Sequence, residues 1–263
     1  MRWWCSAQGT PWTWTWQPYV GVWLLAAGIA ALYVRWHRAS EPDETTRLRR
    51  WAAAGGVCVV WLLLDWPIGA LGAGYLESVH ALQFLGLAFI ASPLLLAGLP
   101  AGWEAHRGPR TTALLRTLAH PLHAIVGFNV VVIATHVPPL VDALMVTQLG
   151  SMAIDAAWVL GGLIFWWPVV RAWPTRLSAA ARLAYLLAGV TLHMGVGMFY
   201  VVANNPLYAV YELAPRVGNS DPLDDQGRAG GIMMASDVAV GMVAIAVLLN
   251  MWRRDEARRH EHA

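Results

Sequence analysis

The sequence predicts an all-α integral membrane protein, a bundle of seven transmembrane helices with the N-terminus outside and the C-terminus cytoplasmic. Composition, the number of long apolar segments and the distribution of arginine support this prediction. Of the 263 residues, 57% are hydrophobic and only 13% are charged, whereas a soluble domain usually carries about 25% charged residues. The formal net charge of +2 argues against a nucleic-acid partner. The chain is therefore predicted to lie in a lipid bilayer.

Seven apolar segments each approach the roughly 20 residues that a helix needs to cross a bilayer. Their limits are 18–36, 51–68, 78–100, 121–140, 148–170, 181–203 and 229–252. They form a predicted transmembrane domain over residues 18–252. A Trp-rich external segment, residues 1–17, precedes it, and a charged cytoplasmic tail, residues 253–263, follows it. The fourth segment ends near Val137-Pro138-Pro139, which is typical of a helix stop.

Arginine predicts the orientation of these segments. All 18 basic residues are arginine, and 15 of them lie in the loops after segments one, three and five or in the C-terminal tail. The N-terminus and the remaining loops hold only Arg2, Arg216 and Arg228. By the positive-inside rule, the arginine-rich side is cytoplasmic. The absence of lysine excludes Schiff-base chemistry such as the binding of a retinal chromophore.

Polar and sulfur-bearing side chains from five segments are predicted to lie at one depth below the outer surface, since each helical residue advances the chain by about 1.5 Å. Imidazole and thioether ligands favour the cuprous ion over hard cations, and polar side chains in lipid usually serve a function. The predicted metal ligands are His80, His136, Asp155, His193, Met194, Met198, Met233 and Asp237, with Gln83 and Asn129 as supporting polar residues.

Structural explanations for these residues remain open. A methionine in an apolar segment commonly fills space in a core, and a histidine can form a hydrogen bond between helices. The two aspartates could also carry protons or bond Asn129. Cys5 and Cys58 are too far apart for a CxxC motif. We expect Cys5 to be a free thiol in the N-terminal tail and Cys58 to be a small core residue.

An ordered set of motifs resembles a known family. The motifs are His80-x-x-Gln83, His120-Pro121, Phe128-Asn129, His136-x-Pro138, Phe165-Trp166-Trp167-Pro168, Pro206-Leu207-Tyr208 and Asp225-Gln226. From about Trp12 to Trp252 the chain resembles the CtaG-type cytochrome c oxidase assembly factors, multi-pass proteins of bacterial plasma membranes. The resemblance implies a non-enzymatic role in maturing haem–copper oxidase, by handling or delivering copper at the outer side. Oxidase subunits or copper chaperones would be the partners.

The same resemblance assigns five residues to the polar motifs of the family: His80, Gln83, His136, Asp225 and Gln226. Two motifs depart from the family pattern. The third-helix motif His-x-x-Gln-His ends here in Phe84, and the fifth-helix motif His-x-x-Glu-His is replaced by Ser151, Ile154 and Asp155. The chain therefore either builds its metal site differently, from His80, His136, Asp155 and methionines, or does not bind metal as its relatives do.

Three other functions are compatible with the sequence. A membrane haem protein or redox enzyme would use His80 and His136 as axial ligands. A proton-coupled transporter would use Asp155, Asp237 and Asn129 as its intramembrane path. A scaffold would hold oxidase subunits together without any metal.

Overall fold

The computed structural model describes residues 2–171, 173–174 and 177–236. Within these residues the chain forms helices and no strand, which confirms the predicted all-helical class. The helices, in chain order, are α1 (Val20–Arg38), α2 (Thr46–Leu64), α3 (Ile68–Gly74), α4 (Glu77–Gly98), α5 (Pro109–Leu118), α6 (Pro121–Ala134), α7 (Pro138–Met145), α8 (Gln148–Val170), α9 (Ala179–Val202), α10 (Ala209–Glu212) and α11 (residues 222–236).

Four of the described helices, α1, α4, α8 and α9, are long and apolar enough to cross a membrane. Two further pairs meet the same criteria only when taken together, and both are bent. The angle is 51° between α2 and α3 and 73° between α5 and α6. The described residues thus supply four to six candidate spans. Most of the seventh predicted segment, 229–252, lies outside the described residues, so the count of seven and the orientation stay predictions.

The fourth predicted segment is shorter than expected. Its helix, α6, ends at Ala134 rather than near residue 140. Two side chains that follow the helix bond carbonyl oxygens of its last turn: Thr135 Oγ1 donates to Val131, and His136 Nδ1 donates to Val132. Such bonds compete with continuation of the helix. Pro138 then opens α7 at its first position, where the missing N–H is tolerated.

Helix α4 lies at the centre of the described bundle. Two thirds of its apolar window is buried, against 22% for α1. Its residues Gly86–Ala91 form a π-helical turn. That turn releases the carbonyl oxygen of Ala88, which accepts a hydrogen bond of 3.0 Å from Trp166 Nε1 of α8. Gly162 of α8 lies so close that an added Cβ would stand 2.6 Å from the same oxygen.

The N-terminal segment folds into one end of the bundle. Trp4 and Cys5 are buried, whereas Trp14 and Trp16 are exposed. The Trp3 and Trp4 amides both donate to Gln148 Oε1, at 2.7 and 3.1 Å. Of the two cysteine predictions, the free thiol at Cys5 is confirmed, although this thiol is buried, and the core position of Cys58 was wrong. Cys5 donates to the Leu64 carbonyl oxygen at 3.2 Å, whereas Cys58 is exposed because α2 buries the face of Ala53, Gly56 and Val60.

The opposite end of the bundle, at which α1, α4 and α8 finish, carries Arg38, Arg50 and Arg171, and we call it the arginine end. There Arg171 and Glu104 form a buried two-pronged ion pair, with Nε–Oε1 at 2.6 Å and Nη2–Oε2 at 2.9 Å. Burial, the largest single influence, would raise the pKa of Glu104. The hydrogen bonds and charge of Arg171, a bond from the backbone amide of Glu104 itself and the charge of Arg49 together lower it instead. The pair fastens the end of α8 to the loop after α4.

Candidate functional site

His80 lies in the first turns of α4 and is buried. Its ring packs against the indole of Trp158, with centroids 4.7 Å apart, and against Tyr211, at 5.7 Å. The backbone of Gly72 lies beside the ring, but neither ring nitrogen has a hydrogen-bond partner among the described residues. Because an unpaired buried polar group costs free energy, this histidine needs an explanation beyond packing.

His136 follows α6, and its hydrogen bonds define its tautomer. Nδ1 lies 2.7 Å from the carbonyl oxygen of Val132, and a carbonyl can only accept, so Nδ1 carries the proton. Thr135 Oγ1, at 3.3 Å from Nδ1, accepts from Trp158 Nε1 and gives its own proton to a backbone carbonyl. In the neutral ring Nε2 therefore keeps its lone pair, and no described residue bonds it.

A pocket of about 280 Å³ reaches His136 from the protein surface. It lies between the α6–α7 junction and α9. Its lining includes Pro138, Tyr208 and Gly195, and a Cβ added to Gly195 would meet nothing within 4 Å. The ring of His136 thus borders a pocket that opens to the surface, whereas His80 does not line this pocket.

Phe84 occupies the space between the histidines. Its ring centroid lies 5.1 Å from that of His136, 5.2 Å from that of His193 and 5.5 Å from that of Trp158. His193 of α9 is fully buried. We call His80, His136 and His193, with Phe84 and Trp158 among them, the imidazole cluster. The position where the family pattern has a second histidine is therefore the centre of the cluster, and here it holds a phenyl ring.

Asp155 does not join the imidazole cluster through its carboxylate. Its Oδ2 accepts a hydrogen bond of 2.8 Å from Trp4 Nε1, so this carboxylate oxygen bonds the N-terminal segment. In the part of the chain that the structure describes, no group of three or more His, Cys, Asp or Glu residues is placed to hold a metal ion. The predicted ligands thus meet in part, without forming a preorganised metal centre.

The predicted sulfur ligands lie apart from the histidines. Met194 and Met198 are 44% and 51% exposed, whereas His193 is fully buried. A helix rotates by about 100° per residue, which turns both thioethers to the outer face of α9, and the structure does not bring them to the site. Met233 is buried where α11 packs on Gly197. Asp237 lies outside the described residues.

The supporting polar residues bond the backbone. Gln83 Nε2 donates to the Leu63 carbonyl oxygen at 2.8 Å, and Asn129 Nδ2 donates to that of Ile125 at 2.9 Å. Asp225 accepts from the amide and hydroxyl of Ser78, at 3.1 and 2.5 Å. Gln226 Oε1 accepts from the Leu207 amide at 2.7 Å. The last two residues tie α11 to the start of α4 and to the loop after α9.

Sequence reasoning missed a group of tyrosines above the imidazole cluster. Tyr208 Oη donates to the His136 carbonyl oxygen at 2.8 Å and is bonded to the hydroxyl of Tyr200. Tyr211 Oη donates to the Gly72 carbonyl oxygen at 2.7 Å. Burial raises the pKa of Tyr208 and of Tyr211, so both remain neutral donors. Tyr208 ends the Pro206-Leu207-Tyr208 motif, which was a usable signal.

Glu77 was also missed as a member of this region. It lies three residues before His80, and residues at this spacing share one helix face. It is buried, and one carboxyl oxygen has no partner among the residues described. An acidic residue in the first turn of a helix is common, because it interacts favourably with the helix dipole, so the sequence carried no separate signal for Glu77. The structure instead places it beneath the tyrosines.

Comparison with known proteins gives one family. The family model described as cytochrome c oxidase caa3 assembly factor (Caa3_CtaG) matches residues 27–255. A curated protein of Mycobacterium leprae (strain TN), named Uncharacterized protein ML1998, is 23% identical over 255 residues. The aligned region covers 89% of this chain and 38% of that protein, so the chain spans less than half the length of this relative. No solved structure matches the chain.

Proposed function

This chain belongs to the cytochrome c oxidase caa3 assembly factor family, and we propose that it assists oxidase maturation by taking up a cuprous ion at His136 and passing it on. The cuprous ion is cargo in this proposal. The protein lies in a bacterial plasma membrane, its partners are the oxidase or a copper chaperone, and it carries out no catalysis of its own.

The observation that carries the proposal is that His136, a residue lining a surface pocket, keeps an Nε2 that no described residue bonds. The Nδ1–H tautomer is held by the Val132 carbonyl oxygen, and the residue lines a pocket that opens to the surface. A neutral imidazole nitrogen suits copper well and hard cations poorly. A hydrogen bond from the other ring nitrogen to a backbone carbonyl also raises the basicity of the ligating ring. His136 is thus ready to bind an ion without rearrangement.

The lack of a preorganised ligand set favours transfer over storage. Tight metal sites provide several donors at fixed distances, whereas the described residues offer one open imidazole with two more behind Phe84. An ion held by few ligands leaves readily. His80, whose ring nitrogens lack partners, and His193 would provide the next donors when the rings around Phe84 move.

Purified protein with a His136→Asn substitution tests this proposal. The asparagine amide can still donate to the Val132 carbonyl oxygen but offers no Nε2 lone pair. We expect competition with a cuprous chelator, under anaerobic conditions, to show at least tenfold weaker binding than in the wild type. His123→Asn is the matched control, because His123 is exposed and bonded through Nδ1 to the Thr117 carbonyl oxygen. Equal affinities in all three proteins would refute copper uptake at His136.

The haem alternative has less support from the packing. Axial ligation by His80 and His136 requires a haem-sized gap between the two rings, and the rings of Trp158 and Phe84 contact these imidazoles directly. An absorption spectrum of the purified protein distinguishes the haem-binding hypothesis from the copper-transfer proposal. A Soret band would favour the haem protein over the copper carrier.

A further inference from the structure

A groove of about 750 Å³ runs along the pair formed by α1 and α2, away from the imidazole cluster. Its floor consists of small side chains, namely Ala26, Ala27, Ala30, Ala53 and Ala54, with the exposed thiol of Cys58 beside them. The α1 positions that line it run from Trp23 to Arg38, a length of about 22 Å at 1.5 Å per residue. The groove therefore extends over most of a bilayer's apolar thickness.

The two ends of the groove differ in chemistry. Trp23 and Trp61 lie at one end, and Arg38 and Arg50 lie at the arginine end. Both arginines are exposed, and neither forms a hydrogen bond or ion pair with any described residue. The neighbouring Arg49, by contrast, bonds the Leu99 carbonyl oxygen at 3.1 Å. Two guanidinium groups without a described partner thus lie at one end of the apolar groove.

We propose that this groove binds one anionic phospholipid, with its phosphate between Arg38 and Arg50 and its acyl chain along the alanine floor. A guanidinium group forms paired hydrogen bonds with phosphate oxygens, and basic pockets between transmembrane helices are suited to anionic head groups. Arg38 and Arg50 lie at one end of the apolar groove, just as the phosphate of a lipid lies at one end of its acyl chain. An uncharged head group would leave both arginines without a counter-ion.

The groove supplies its own reporter, since Cys58 lines it and Cys5 is buried elsewhere. Full-length protein in a neutral detergent would receive either phosphatidylglycerol or phosphatidylcholine. Native mass spectrometry would count the retained lipid, and peptide mapping would give the rate at which N-ethylmaleimide alkylates Cys58. The proteins compared are the wild type, the Arg38→Gln/Arg50→Gln double variant and the matched control Arg47→Gln/Arg110→Gln. The control arginines are exposed and lie outside the groove.

We expect one phosphatidylglycerol to be retained by the wild type and the control, with alkylation of Cys58 slowed at least fivefold. Phosphatidylcholine should give neither effect, and the groove variant should respond to neither lipid. Equal protection by both lipids would overturn the proposal and indicate ordinary annular lipid. Slow alkylation without any added lipid would overturn it too, because another protein segment or a second copy would then cover the groove. These results do not depend on copper, so they leave the proposed function untouched.

Discussion

At the scale of single residues, His136 and His80 show how backbone contacts decide what an imidazole can do. Nδ1 of His136 is committed to the Val132 carbonyl oxygen, 2.7 Å away, and this leaves Nε2 as the open ligand. His80 has no such commitment among the described residues, and it does not line the pocket that reaches His136. The sequence placed both histidines at one depth, but it contained no signal for the difference in accessibility between them.

Phe84 gives the sharpest residue-level prediction. A Phe84→His substitution would add a fourth imidazole to the cluster. It would lie between His136 and His193, whose ring centroids are 5.1 and 5.2 Å from that of Phe84. We expect the variant to retain silver ion, an inert mimic of the cuprous ion, through gel filtration. The buried imidazole should lower the free energy of unfolding by about 1–3 kcal/mol.

The matched control is Phe128→His. Phe128 is equally buried, but its ring contacts are with Phe89 and Phe165. This control should lose similar stability without gaining metal. If the two variants retained the same amount of silver, the imidazole cluster would not be the latent site that its geometry indicates.

Glu104 at the arginine end provides a pH-dependent prediction. Burial acts to raise the pKa of its carboxyl, yet the hydrogen bonds and charge of Arg171, together with the backbone amide of Glu104 and the charge of Arg49, lower it overall. A lowered folded-state pKa contributes stability above the unfolded-state value, about 4.3 for glutamate, and that contribution is lost as the pH falls through the folded-state pKa. We expect Glu104→Gln to lower the free energy of unfolding at pH 7 by about 1–3 kcal/mol.

Thermal unfolding of wild type and variant at pH 7 and at pH 4 would measure this effect. The difference between the two proteins should shrink at the lower pH. Glu44→Gln is the control, because Glu44 is exposed and has no described partner. A variant as stable as the wild type at pH 7 would show that the ion pair contributes no net stability.

At the scale of secondary structure, hydropathy located most helices but not their irregularities. The predicted segment 78–100 agrees with α4, Glu77–Gly98. The π-helical turn at Gly86–Ala91 was not foreseen, because one extra residue in a turn leaves an apolar segment apolar. Two side chains make the turn tolerable. Ser92 Oγ donates to the Leu87 carbonyl oxygen at 2.8 Å, and Trp166 Nε1 donates to that of Ala88 at 3.0 Å.

Close packing of α8 on this turn makes Gly162 intolerant of a side chain. An added Cβ would lie 2.5 Å from Ser92 Oγ and 2.6 Å from the Ala88 carbonyl oxygen, and the backbone atom has nowhere to move. We expect Gly162→Ala to lower the free energy of unfolding by about 1–3 kcal/mol. Gly127→Ala is the control, since Gly127 meets nothing within 4 Å. Equal thermal stabilities would contradict the tight contact between α4 and α8.

Helix α9 supplies the open side of the pocket at His136. Because a side chain at Gly195 would meet no neighbour within 4 Å, Gly195→Leu should fill the pocket without disturbing the fold. We expect oxidase activity in copper-limited cells to fall at least fivefold, while the amount of this protein in the membrane is unchanged. Gly127→Leu should have no effect. Full oxidase activity with the filled pocket would indicate that copper reaches the site by another route.

At the scale of the whole molecule, the sequence predicted the all-helical class, but not which of the candidate site residues the fold brings together. Position along a helix predicts only the depth of a residue in the membrane, and it predicted a similar depth for His80, His136 and His193. It says nothing about rotation around the axis, which is why Met194 and Met198 were grouped with a histidine that faces the other way. Nor could it foresee that Trp4, far away in the chain, bonds Asp155.

The irregular segments account for most of the remaining differences. The loop between α9 and α11 supplies Tyr208 and Tyr211 to the cluster, and the N-terminal segment supplies Trp4. Long-range contacts of this kind leave no periodic pattern in the sequence. The family resemblance, by contrast, rested on motif order across the chain, and the family match over residues 27–255 confirms it.

Copper in the assembled oxidase tests the central claim most directly. Cells carrying wild-type protein, His136→Asn or His123→Asn would be grown under copper limitation, and the copper-to-haem ratio of the purified oxidase would be measured. Uptake through Nε2 of His136 predicts a ratio lowered severalfold in the His136→Asn cells alone, with recovery when copper is added to the medium. A normal ratio in copper-limited His136→Asn cells would contradict the account.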